Sequence, residues 1–358
     1  MSCAVVHSAI KIMETVRSKY AASKIDKDLE DAIRYLLVNH AFRANPTVMT
    51  IDENRPEGRL LVITGPSGAG KTKSLMRAVR RHPLLRGFDL DGPDGPLVSV
   101  TVTSPCTLKQ LGRDTLRTVG YPLERDIKEH LVWERVRHRL MERKKALLIF
   151  DEMQHITQTA NVFEQEKVAN TIKDLMINRK WRSSIIVCGL PAVADFIHSD
   201  EQLRRRATFL QMKHLRMPDD NLGIADIVSG LAKVAGLTSQ GDSEIAPRLI
   251  HAAGGRLGVA VEITQNAIEM ALALSDFETG EADGELALLS TLGASTPGIL
   301  TIQHFADAFR RRSGYASDEN PFISRDWTST MAPGPAPTDD SQRPRRRRSR
   351  KVSGGNVR

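Results

Sequence analysis

Cysteine, aromatic side chains and long apolar runs are all scarce in this sequence, and each scarcity removes a class of protein. The three cysteines, Cys3, Cys106 and Cys188, lie far apart with no CxxC spacing. They supply neither a disulfide framework nor a cysteine zinc site, and they suit a reducing cytosol. Aromatics are 5% of residues, which argues against a ring-rich surface for stacking sugars or bases. No apolar run approaches the roughly 20 residues needed to cross a bilayer. The opening MSCAVVHSAIKIMETVRSKY spreads charges along its length and has no hydrophobic stretch before a cleavage site. No signal peptide is expected, no membrane partner, and a cytoplasmic location.

What is present is ordinary for a protein with a real core: 358 residues, 41% hydrophobic and 26% charged, enough for two or three packed units. The net charge of +8 is unevenly placed. Residues 341–358 hold eight Lys/Arg and no acid, leaving 43 basic and 43 acidic residues in 1–340. The body is formally neutral, and the basic excess belongs to the end of the chain.

Periodicity divides the chain. Residues 1–45 read as helical and amphipathic, with Ile25, Leu29, Ile33, Leu36 and Leu37 at spacings of three and four. Asn45-Pro46 breaks that pattern. Leu60–Thr64 is a continuous apolar run, as in a strand buried on both faces. Further strands are expected at 98–102, 146–150, 185–188 and 209–212, with helices at 72–81, 126–145 and 164–178. Alternating strands and helices indicate a parallel sheet covered on both faces. After Pro218 the strands stop. Helices are expected at 219–235, 243–253, 259–274 and 302–312, with a Gly/Ser/Thr-rich loop over 286–299. From Ser317 the pattern is lost, and the Pro-rich 332–337 and Arg345–Arg348 read as a disordered tail. The expected organisation is an N-terminal helical segment (1–45), an α/β nucleotide-binding domain (46–217), a small all-helical domain (218–316) and a disordered basic tail (317–358).

Two motifs carry chemistry. Gly65-Pro66-Ser67-Gly68-Ala69-Gly70-Lys71-Thr72 satisfies GxxxxGK[ST] between a buried strand and a helix. The glycines let successive backbone N–H groups point at phosphate oxygens, and the helix N-terminus adds a favourable dipole. Lys71 is expected to reach the β- and γ-phosphates, and the Thr72 hydroxyl to ligate Mg²⁺. About eighty residues later, Leu147-Leu148-Ile149-Phe150-Asp151-Glu152 carries an acidic pair to the carboxyl end of a strand, where ligands sit in such sheets. Asp151 is expected to hold the Mg²⁺ shell and Glu152 to polarise the attacking water. The strand candidate lying between the two motifs, together with Glu152, favours ATPases with an additional strand over kinase- or GTPase-like P-loop proteins. ATP and Mg²⁺ are the expected cofactors.

These residues, with the strand ending Ile185-Ile186-Val187-Cys188-Gly189, the run Arg204-Arg205-Arg206 and the later Gly254-Gly255-Arg256, resemble an AAA+ ATPase over about 45–315. More narrowly, the DEMQHI segment containing Gln154 and His155, and the GLP after the fourth strand, resemble the TniB and TnsC transposition ATPases. The resemblance implies an α/β P-loop AAA+ fold: a parallel sheet sandwiched by helices, followed by a small all-helical lid. It implies an arginine reaching a neighbour's γ-phosphate, for which Arg206 fits the spacing best and Arg205 next. It also implies a nucleotide-sensing role for Arg256. One position departs. Where such proteins place an Asn, Thr or Ser to sense the γ-phosphate, this chain has Cys188-Gly189-Leu190, so either a backbone group serves or the sensor is missing. His155 either orients Gln154, contacts a partner, or is a structural histidine.

The resemblance implies an ATP-dependent accessory protein of DNA transposition that binds target DNA without sequence preference, forms homo-oligomers with ATP and recruits a transposase. An AAA+ remodeller of a protein partner is the alternative from another class. A replication initiator or helicase loader of the ORC-like group is a third, disfavoured because 316–358 is too short and too rich in Pro and Arg for a winged-helix domain. The Arg run of the tail serves either phosphate contact or solubility.

Overall fold

The computed structural model describes residues 3–45, 47–49, 53–85, 95–159, 161–278, 298–314 and 319–330. Its centre is a five-stranded parallel sheet formed by β1 (Leu60–Thr64), β2 (Leu97–Thr101), β3 (Leu147–Asp151), β4 (Ser184–Gly189) and β5 (Ala207–Gln211), in the order β2-β3-β4-β1-β5. The three inner strands are buried along their whole length. That is why they read as unbroken apolar runs rather than as alternation. Successive side chains still go to opposite faces. Leu60 and Val62 join Leu148, Phe150, Ile185 and Val187 in one core, while Leu61 and Ile63 join Leu147, Ile149 and Ile186 in the other.

Helices α1 (Cys3–Ser18) and α2 (Asp26–Ala41) make up the N-terminal segment, and they part company. α2 lays Leu29, Ile33, Leu36 and Leu37 on one face of the sheet beside α3 (Lys71–Arg81). Met13 and Val16 of α1 instead enter a separate core made by the residues after Pro218. The chain between them is pinned by the Tyr20 hydroxyl, which lies 2.8 Å from Ser74 Oγ and donates to Asp26 Oδ1 at 2.7 Å. Burial pushes that phenol up to about 12.

The opposite face carries α4 (Leu108–Thr118), α5 (Glu129–Glu142) and α7 (Val162–Ile177), with a short α6 (Gln154–Thr159) leading into α7. α4 was not among the expected helices, although Thr107 caps it by accepting from the Gln110 N–H at 3.2 Å, the start signal of a Ser/Thr cap. α5 is shorter than the expected 126–145. Asp126 is spent on Lys109, 2.7 Å away, and not on capping, while Lys144 takes a left-handed φ of 50° that ends the helical path. Lys145 then turns inward and donates to the Gly95 carbonyl at 2.7 Å. α8 (Pro191–Ser199) and α9 (Glu201–Arg206) connect β4 to β5. β5 begins at Ala207 and ends at Gln211, two residues before and one before the expected bounds.

After Pro218, α10 (Asn221–Val234), α11 (Asp242–Ala252), α12 (Leu257–Glu278) and α13 (Ile302–Ser313) pack around their own core. Strands do not stop entirely there: β6 (Thr238–Ser239) and β7 (Ile299–Leu300) pair in parallel. A two-residue ladder is too short to leave a period in the sequence. Most of the expected 286–299 loop, and the Arg-rich run after residue 330, lie outside the described residues. No described helix is long and apolar enough to cross a membrane.

The expectation that order is lost from Ser317 needs correction. Residues 319–330 return to the helical core, where the Phe322 ring sits 5.5 Å from Phe305 and 6.1 Å from Phe309. Buried Asn320 donates from Nδ2 to the Ala306 carbonyl at 2.8 Å. An irregular strap held by one aromatic and one amide has no periodicity to betray it. Phe322→Ala is expected to cost about 3–5 kcal/mol, the range for emptying a buried phenylalanine site, read as a fall in denaturant midpoint. A chain ending at residue 316 is expected to lose as much.

Candidate functional site

The carboxyl ends of β1, β3 and β4 are nearly flush, and the two sequence motifs meet there. Register places Thr64 beside Gly189 and Phe150 beside Val187. The Gly65 N–H donates to the Gly189 carbonyl at 3.3 Å, and the loop Gly65–Gly70 then turns through left-handed Gly68 (φ 77°) and Gly70 (φ 93°) into α3. A positive φ is what a glycine supplies without strain. Lys71 is 8% exposed, and its Nζ donates to the carbonyls of Gly65 and Pro66, each at 3.0 Å.

The next residue ties the loop to the acidic motif. The Thr72 hydroxyl donates to Asp151 Oδ2 at 2.7 Å, while Asp151 Oδ1 accepts from the Glu152 N–H at 2.9 Å. Asp151 is 4% exposed. A hydroxyl and a carboxylate side by side are hard oxygen donors suited to Mg²⁺, which takes one or two carboxylates and completes its shell with phosphates and water. Among the described residues no group of three or more His, Cys, Asp or Glu could hold a metal by itself. The Thr72–Asp151 pair fits Mg²⁺ shared with a nucleotide.

Glu152 has a φ of 58°, unusual for a residue with a side chain. The Gln154 amide explains how it is held. Its Nε2 donates to the Glu152 carboxylate, and its Oε1 accepts from the Leu190 N–H at 3.2 Å. A Cβ on Gly189 would stand 2.6 Å from Gln154 Oε1 and 2.7 Å from Val193 Cγ2, so a side chain there would press on the amide that holds Glu152. Cys188, at the sensor position, is buried. Burial and the neighbouring Asp151 push its thiol well above its ordinary value. The His155 N–H donates to the Glu152 carbonyl at 3.0 Å, within the same turn.

The helical unit touches this site directly. Gly254 and Gly255, both with left-handed φ, end α11, and Arg256 donates from Nε to the Ala253 carbonyl at 2.9 Å. Two residues on, a Cβ on Gly258 would fall 2.5 Å from the Gly68 carbonyl oxygen, and one on Gly68 would meet Val259 at 2.9 Å. The first turn of α12 thus rests on the phosphate loop, backbone on backbone. No motif pointed to Gly258; only the closeness of two chains does.

The arginine run lies elsewhere. Ala207 pairs with Leu60 at the start of β1. Arg204–Arg206 are therefore at the opposite end of the sheet from their own phosphate loop, about 16 Å away along a five-residue strand. Arg206 is engaged, with Nε on Glu57 Oε2 at 2.9 Å and Nη1 on the Gln202 carbonyl at 2.9 Å. Among the described residues Arg205 pairs only with exposed Glu201, at 2.8 Å, and Arg204 is exposed. Asp200 caps α9 through the N–H groups of Gln202 and Leu203 and pairs with Lys173 at 2.7 Å. Burial opposes its ionisation, but Lys173 and those amides outweigh it and hold the carboxyl below the usual range.

A parallel sheet with two faces of helices, a phosphate loop after β1, an acidic pair after β3 and a following helical unit define an AAA+ fold. Solved structures of that fold are similar to this chain. The ADP form of the Aeropyrum pernix ORC2 protein has a TM-score of 0.52 at 11% identity, over 85% of this chain and 84% of that one. Its ADPNP–ADP complexes have a TM-score of 0.51 at 13% identity, over 79% and 72%. Drosophila ORC bound to DNA has a TM-score of 0.50 at 12% identity, over 87% and 67%. The chain itself belongs to the TniB family: the family profile described as Bacterial TniB protein matches residues 30–217, a little over half of its length. A comparison with curated proteins finds no match.

Two outcomes test this geometry. Gly258→Ala must displace either α12 or the loop, at about 1–3 kcal/mol for overpacking; a lowered melting temperature with raised protease sensitivity at 253–260 is expected. Asp200 has a lowered folded pKa, so its contribution is complete above about pH 4 and is lost as pH falls through the folded value. Asp200→Ala should therefore lower stability by about 1 kcal/mol at pH 7 and flatten the acid limb of a pH–stability curve.

Proposed function

We propose that this protein is an ATP-dependent accessory ATPase of DNA transposition, which binds ATP and Mg²⁺, assembles on target DNA and recruits a transposase. The observation that carries the ATPase reading is the Thr72–Asp151 hydrogen bond beside Glu152, with Lys71 buried in the same loop. Gly65, Pro66, Ser67, Gly68, Ala69 and Gly70 would hold the phosphates through backbone N–H groups, and Lys71 would exchange its two carbonyl partners for phosphate oxygens. Thr72 and Asp151 would hold Mg²⁺, which when bound offsets phosphate charge. Glu152 would orient the attacking water and take its proton. Gln154 fixes where that carboxylate points, and the helical unit, with Arg256 beside its contact on the loop, would act as the lid.

The site would be completed by a second copy. Arginines a strand's length from their own loop can serve only a neighbour's, where a guanidinium offsets transition-state charge. Arg206 fits the spacing best but would have to leave Glu57. Arg205, held by one exposed glutamate, moves at little cost. Membership in the TniB family and the resemblance of the DEMQHI and GLP segments to transposition ATPases support the transposition role. Like folds include one bound to DNA and one in complex with ADPNP and ADP. The family match sets this reading ahead of the replication-initiator alternative, which shares only the fold.

Lys71→Ala removes a charge-assisted contact worth roughly 1.5–3 kcal/mol, so ATP affinity by titration should fall ten-fold or more. Glu152→Gln should bind ATP normally and lose turnover. Arg205→Ala should bind ATP yet lose the rise in specific activity with protein concentration. Wild-type affinity in Lys71→Ala would remove the site assignment, and normal turnover in Glu152→Gln would remove the base.

A further inference from the structure

The amino ends of the strands, opposite the phosphate loop, collect cations in a way the formally neutral body does not lead one to expect. Arg59 precedes β1, Lys144 precedes β3, Arg182 precedes β4 and Arg206 precedes β5. Because the order is β3-β4-β1-β5, these four residues lie just before the starts of neighbouring strands, which run about 4.8 Å apart. The line continues past β3 into a groove of about 550 Å³ between α5 and the turn 178–182. Arg135, Arg137 and His138 line one wall, Asn178 and Lys180 the other, and Trp181 forms the floor. That floor is rigid: the indole is buried, donates to the Lys145 carbonyl at 2.7 Å and carries the Arg55 guanidinium 5.0 Å above its ring.

The acids here are mostly spent. Arg137 answers Asp174 at 2.9 Å, Arg139 answers Glu142 at 2.6 Å, and Glu57 holds Arg206. Glu134 remains in the groove wall. Against it stand exposed Arg135, Lys144, Arg179 and Lys180, which form no ion pair among the described residues, and buried Nε atoms of Arg59 and Arg182 that have no hydrogen-bond partner. Four such cations, spread over α5 and the approaches to β3 and β4, exceed what one small anion can use. They match a ligand with negative charge repeated along its length.

We propose that this end of the sheet, centred on the groove between α5 and the 178–182 turn, binds the phosphodiester backbone of duplex DNA. The inference rests on the DNA reading above and gives it a location in the folded body, apart from the basic tail. Contact through phosphates positions a protein without reading bases, in keeping with binding of little sequence preference.

The test is fluorescence anisotropy with a labelled duplex and a non-hydrolysable ATP analogue across a salt series, in the full chain and in a chain ending at residue 340. The double variant Arg135→Ala/Lys180→Ala is expected to lower the slope of log affinity against log salt by about two, one per lost phosphate contact, in both backgrounds. Arg135→Lys/Lys180→Arg should keep the slope. Unchanged slope and affinity in the alanine variant would overturn the groove while leaving the DNA reading intact. No binding by the wild-type chain at about 50 mM salt would remove the groove together with that reading. Displacement of the duplex by poly-glutamate at equal charge would reassign the surface to an acidic protein partner.

Discussion

The hydrogen bond from Thr72 to Asp151 joins two strands that are not neighbours, since β4 lies between β1 and β3. The phosphate loop and the acidic motif can meet only over the end of β4, so that end must be low. Cys188 and Gly189 make it low. Cys188 packs against Asp151, and a side chain at 189 would press on Gln154 Oε1 and Val193. The space over the strand end is filled by the Gln154 amide, which reaches across from the other motif to the Leu190 N–H at 3.2 Å.

The sheet consequently has two unlike ends. Its carboxyl end holds the acidic pair and a loop of outward N–H groups; its amino end holds a row of Arg and Lys. If copies associate as proposed, complementary ends that do not face each other would join head to tail, giving a ring when the rotation closes and a filament when it does not. The two uses proposed for the basic end, a neighbour's nucleotide and a duplex, draw on different elements: α9 and β5 on one side, α5 and the turn before β4 on the other.

Much of this was legible in the sequence because burial on both faces leaves unbroken runs such as Leu60–Thr64 and Leu147–Phe150, and because a phosphate loop needs a fixed order of small residues. The nucleotide site follows from those two facts alone. α4 and the strap at 319–330 were less legible, one being short and edge-lying, the other held by single residues. Gly258 and Glu57 could not be read at all. Each matters through a partner more than a hundred residues away, Gly68 or Arg206, and nothing local in the sequence records such a partner.

The attachment of the helical unit carries one more consequence. The chain passes between the sheet and that unit twice, once through the segment after α1 and once after β5, and the two passages are clasped together where Lys24 meets Asp220 at 2.6 Å. The helical unit also rests on the phosphate loop where Gly258 meets Gly68. Tyr20 on Ser74 and the Leu215 N–H on the Gly255 carbonyl tie the same parts together. A unit anchored on the phosphate loop itself would pass any shift of Gly68 on to the whole of α12.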